Sequence, residues 1–108
     1  MARSAERAAA NEARFRAANE RIQEKVLELG AGEQPVPYLC ECEDPGCTTV
    51  VLLKAAEYED VRSASRRFVV APDHEEADDH VLAEHEAFTV IEKTGEEGQL
   101  VEELDPRA

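Results

Sequence analysis

The chain has 108 residues, with 12 Lys and Arg against 25 Asp and Glu, a formal net charge of −13, 5% aromatics and no tryptophan. That is one small domain, and a membrane span is excluded: the longest purely apolar run, Val50 to Leu53, falls far short of the roughly 20 residues a bilayer helix requires. An odd count of three cysteines and a start with no apolar signal core argue against a secreted disulfide framework, so the expected location is cytoplasmic.

Charge is divided unevenly. Residues 1–30 carry six Arg or Lys and five Glu, a net of +1, so the total of −13 leaves −14 on residues 31–108. An acidic body repels nucleic acid, which is not expected as a partner.

In chain order, residues 4–29 read as one helix: Ser4 caps it, alanine and straight-chain charged residues fill it, and Gly30 stands where a left-handed residue ends it. Its apolar stripe is Phe15, Ala18, Ile22, Val26 and Leu29. Such a helix is roughly 40 Å long. That exceeds a small domain, so residues 1–30 are expected as an amphipathic arm that frays in its first half or meets a protein partner or second copy. Its arginines (Arg3, Arg7, Arg14, Arg16, Arg21) alternate with glutamates and read as a solvated, ion-paired face.

Residues 31–37, with Pro35 and Pro37, form a linker. Residues 38–94 are the folded α+β unit. Tyr38-Leu39 and Thr48 to Leu53 have strong β character and predict a hairpin with the cysteines at its tip. A second helix is predicted over Ala55–Arg66, a strand over Phe68–Ala71, and a second hairpin from His80–Glu84 and Phe88–Lys93. Residues 95–108 are acidic, poor in large apolar residues, and expected as a loosely ordered tail. The fold class is therefore α+β: a long N-terminal helix, then a small antiparallel sheet with one inserted helix and a zinc-binding hairpin tip.

All three cysteines lie in Cys40-Glu41-Cys42-Glu43-Asp44-Pro45-Gly46-Cys47. Cys40 and Cys42 can grip one ion, and Asp-Pro-Gly turns the chain so that Cys47 returns as a third thiolate. Flanking acids and glycine cannot form the apolar pocket a buried packing cysteine needs. His74, in a turn just after an apolar strand, is the candidate fourth ligand, with His80, His85 or an acid left open. Thiolate-rich ligation selects Zn2+, with an iron–sulfur cluster ranked behind it. Three function classes follow: a non-catalytic zinc-binding interaction or regulatory module, a redox- or metal-responsive switch through the cysteines, and, ranked last, a zinc hydrolase using Glu75 as base. No catalytic residue is assigned.

Ala2 to Glu6, Asn19 to Ile22, Tyr38 to Thr48, Glu57 to Arg62, Arg66 to Glu75, Val90 to Lys93 and Asp105 to Arg107 together resemble a family of small uncharacterised actinobacterial proteins. The likeness runs nearly end to end. It implies a bacterial protein with a C-E-C-x4-C…P-x-H-E metal site and no known activity. Asp73 stands where the family usually has glycine before the histidine.

Overall fold

The computed structural model describes residues 4–107. Residues 1–3 of the expected arm, with Ala2 of the family motif and Arg3, and residue 108 of the expected tail lie outside them.

Helix α1 spans Ala5–Leu29. The Ser4 hydroxyl accepts the Arg7 N–H, and Gly30 closes the far end at φ 68° while its N–H and that of Ala31 reach back to Leu27 and Val26 carbonyls. Strands β1 (Val36–Leu39) and β2 (Val50–Leu53) form the first hairpin, with Tyr38 opposite Val51. Helix α2 (Ala55–Val61) is shorter than expected, because the Ser63 hydroxyl takes the Asp60 carbonyl and a turn at 64–67 leads into β3 (Arg67–Val70). Strands β4 (His80–Glu84) and β5 (Thr89–Glu92) complete a second sheet ordered β3-β5-β4, antiparallel throughout. The architecture is thus the expected α+β one, with two small antiparallel sheets in place of one.

Glu41 joins the two sheets. Its N–H donates to the Val69 carbonyl and its carboxylate accepts the Val69 N–H, so the residue clamps β3 to the cysteine loop. The core between sheets and helices holds Tyr38 stacked on Tyr58 at 4.6 Å, with Val51, Leu53, Phe68, Ile91 and Val101 around them. Among the described residues no helix is long and apolar enough to cross a membrane.

Two expectations are corrected. Residues 95–108 do not form a loose tail: Gly95–Glu103 is helix α3, with Val101 fully buried against α1. Gly98 lets α3 fold back closely on the chain leaving β5, since a Cβ there would sit 2.7 Å from the Lys93 carbonyl oxygen. Asp105 then ion-pairs with Arg62, and Arg107 with Glu20 and Glu59, pinning the chain end to α1 and α2. Nor does α1 project or fray. Its 25 residues rise about 37 Å along a body 42 Å in its longest extent, and Ala8 and Ala9 are buried. α3 supplies the cover for the first half that the sequence did not disclose.

The buried face of α1 shares only Val26 with the apolar stripe. Leu29 is 69% exposed and Phe15, Ala18 and Ile22 are only half-buried, while Glu12, Arg16, Asn19 and Gln23 are buried completely or nearly so. Each has a matched partner. Asn19 takes both backbone groups of Leu39, closing the free edge of β1 as a further strand would. Gln23 donates to the Ala55 carbonyl and accepts the Tyr38 hydroxyl. Arg16 lies over the Phe68 ring at 4.6 Å and donates to the Ser65 and Val101 carbonyls. Glu12 meets Lys93 at 2.6 Å, where Asp79 and Glu97 also converge on the ammonium. Burial pushes the Glu12 carboxyl up to about 10, aided by a hydrogen bond with Glu97 and opposed by Lys93. Burial opposes the charge on Lys93, and Glu12 and Asp79 together outweigh it and hold the ammonium charged.

Candidate metal centre

The loop 40–49 leaves β1 and returns to β2 under tight backbone control. The Cys40 N–H bonds the Thr49 carbonyl, closing the loop at its neck. At the tip, the Asp44 carboxylate accepts the Gly46 N–H and the Asp44 carbonyl accepts the Cys47 N–H, so Asp44-Pro45-Gly46-Cys47 is the turn that brings the third cysteine back. Asn11 on α1 donates to the Glu43 carbonyl and holds the loop from outside.

His74 arrives from β3. The Ala71 carbonyl accepts the His74 N–H across Pro72 and Asp73, with Asp73 at φ 70°. Proline second and a left-handed residue third make a type II turn, where glycine is normally preferred and aspartate tolerated. Aspartate in the left-handed position is thus compatible with delivery of the imidazole to the cysteines.

Cys40, Cys42, Cys47 and His74 place one donor atom each within 4.8 Å of one another. His74 Nδ1 lies 3.5 Å from Cys40 Sγ and 3.6 Å from Cys47 Sγ. A tetrahedral zinc with Zn–S of about 2.3 Å and Zn–N of about 2.05 Å requires S···N edges of about 3.55 Å. The donor set therefore fits Zn2+ in chemistry and in dimensions. His80 and His85 are elsewhere: the first faces Glu92 on the second sheet, and the second stacks on Phe88 at 4.4 Å.

The surroundings grade the thiols. Cys40 and Cys42 are buried and Cys47 is half-buried. The Ala71 N–H donates to Cys40 Sγ at 3.2 Å, orienting that sulfur by a backbone group. The bond from Cys40 is the main influence holding the Cys42 thiol low, with the Asp44 N–H, Cys47 and His74 adding to it against burial. The same bond, with burial, pushes Cys40 up.

The acids of the loop do different things. Glu41 turns inward, away from the donors, and accepts from Asn19, Tyr58 and the Val69 N–H. Burial raises its carboxyl while those three donors oppose the rise. From the sequence alone Glu41 is only a polar neighbour of the cysteines. Its position between two buried-side cysteines was the available signal, since alternation at Cys40-Glu41-Cys42 turns the middle side chain to the opposite face. Glu75, beside His74, has a carboxylate oxygen enclosed by protein with no hydrogen-bond partner.

No protein-family model, curated protein or solved structure compared with the chain matches it.

Proposed function

We propose that this chain is a non-catalytic interaction or regulatory module stapled by one zinc ion. The observation that carries this reading is the convergence, within 4.8 Å of one another, of three thiols from a loop fixed from three sides and one imidazole from the turn after β3. Cys40, Cys42, Cys47 and His74 would hold the ion, which supplies crosslinking of β1, the 40–49 loop and the turn after β3. Four protein donors complete a tetrahedron, which supports a structural ion over a hydrolytic one, since hydrolysis needs an open position for water beside a base such as Glu75. Elemental analysis of purified protein should give about one zinc per chain, and Cys42→Ser should abolish it. Metal at wild-type affinity in that variant, or iron with visible absorbance, refutes the assignment.

A second reading rests on the partial exposure of Cys47 beside two buried cysteines. In a redox switch, hydrogen peroxide oxidises the Cys47 thiolate to a sulfenic acid, releasing hydroxide. A neighbouring thiol then displaces water to form a disulfide, and the zinc leaves. Zinc release by mild peroxide, reversed by dithiothreitol and zinc, supports this reading; an ion retained under peroxide rejects it.

A further inference from the structure

Basic side chains are outnumbered two to one in this chain. Arg62, Arg66, Arg107 and Lys93 of the folded body each hold at least one carboxylate. Arg7, Arg14 and Arg21 are different. All three are exposed, and among the described residues none forms an ion pair. Arg14 donates only to the Asn11 amide oxygen, and Arg7 contributes only its backbone N–H to Ser4. The ion-paired face expected for α1 is absent at these three arginines: Glu12 turns to Lys93, Glu20 to Arg62 and Arg107, and Glu28 to Lys25, while Glu6 and Glu24 are exposed on the same helix.

The three are seven residues apart, so they form one row on the side of α1 opposite the buried seam, about 10.5 Å between neighbours. Ala10 and Ala17, also exposed, sit between them and leave low ground where another backbone can approach closely. We propose that this ridge docks an acidic helix of another protein, one carrying carboxylates at every seventh residue. This rests on the interaction-module reading and names its surface and the chemistry of its partner.

A helix matches the ridge because two helices crossing at a shallow angle stay in register over heptads, pairing charges along their flanks. A nucleic acid does not: its phosphates are more closely spaced, and the −14 on residues 31–108 repels a continuous polyanion. A second copy fits poorly. Its α3 offers exposed Glu96 and Glu103 at the seven-residue spacing, half the length of the ridge, and both copies carry −13.

The test uses the full zinc-loaded chain and a synthetic alanine-rich helical peptide of about 20 residues with glutamate at every seventh position, beside a permuted peptide of the same composition. Fluorescence anisotropy should show the patterned peptide binding about tenfold or more tightly than the permuted one, with binding weakened in about 0.5 M NaCl. Arg14→Glu and Arg21→Glu should each weaken it by about tenfold, whereas Lys54→Glu, on an exposed residue elsewhere, should not. Both ridge variants lie on the solvent side, and circular dichroism with zinc content verifies their fold; should one fail to fold, the other decides. Equal binding of the two peptides, tighter binding of a duplex oligonucleotide, or a dimer in sedimentation abolished by Arg14→Glu would each overturn the proposal. Peptide binding by a chain that carries no zinc would instead overturn the metal reading and leave the ridge standing.

Discussion

The cysteine loop and the buried seam of α1 solve the same problem, holding polar groups inside a small domain, by opposite means. The loop, with His74 from the turn after β3, gathers four donors about one point where a single ion would hold them. The seam spreads Glu12, Arg16, Asn19 and Gln23 along the helix and gives each a separate partner from β1, α2, the segment before β3, α3, or Lys93 after β5. A concentrated device fails all at once; a distributed one fails residue by residue. The two meet at Glu41, whose backbone sits between two cysteines and whose carboxylate accepts from Asn19.

Stripping the ion is the largest test of that contrast. Structural zinc contributes roughly 10–16 kcal/mol of apparent free energy in small domains, mostly coupled to folding. Chelation or Cys40→Ser should lower Tm by more than about 15 °C. Hydrogen exchange should show the amides of Ala71, Gly46 and Cys47 losing protection first. Seam amides opening at the same chelator concentration would erase the distinction between the regions.

Next come single seam residues. Asn19→Ala removes the partner of both Leu39 backbone groups and one donor to the buried Glu41, which should cost about 2–4 kcal/mol by urea denaturation. Zinc content should stay at wild-type level. Loss of the metal from a folded Asn19→Ala protein would show that seam and loop are one unit.

The seam also predicts a pH dependence. Glu12 has its pKa raised on folding, so its contribution is full below the unfolded carboxylate range and declines as pH rises through that range toward about 10. Wild-type Tm should fall by several degrees between pH 7 and 10, and Glu12→Gln, which keeps the neutral form, should fall less. Lys93, Asp79, Glu97 and Glu43 surround this carboxyl, so equal slopes in the two proteins would move the titration to one of them.

The smallest effect belongs to the turn that delivers His74. Asp73 sits at φ 70°, where glycine relieves about 1 kcal/mol of strain and loses part of that to backbone entropy. Asp73→Gly should therefore raise Tm by at most a few degrees with zinc still bound. A drop in Tm would mean the aspartate side chain has a role of its own.

What sequence could disclose follows from the range of the interactions. Ser4, Gly30, the Cys40–Cys47 loop and the β character around it act locally, and the elements appear where expected. His74 was legible because Pro72 stops β3 and one turn separates it from a strand leading back to the cysteines. The face of α1 was read one position off, as Phe15, Ala18 and Ile22 in place of Arg16, Asn19 and Gln23. The period was right and Val26 belongs to both faces, but hydropathy turned the rest of the stripe aside by one residue. Hydropathy values burial as if no partner existed, and the partners of Arg16 and Asn19 are backbone groups whose location only the tertiary fold decides. For α3 the same limit applies: Glu-rich and holding two glycines, it is a helix because Val101 and Gly98 fit against α1 and Lys93.

The bond from Arg16 to the Val101 carbonyl joins residues 85 positions apart. During synthesis α1 leaves the ribosome before α3 exists, and must wait for nearly the whole chain to emerge. A helix whose unpaired face was Leu and Ile would spend that interval as a sticky surface. This one waits with arginine, asparagine, glutamine and glutamate hydrated, and the same side chains that later lock the interior keep the nascent chain soluble until their partners arrive.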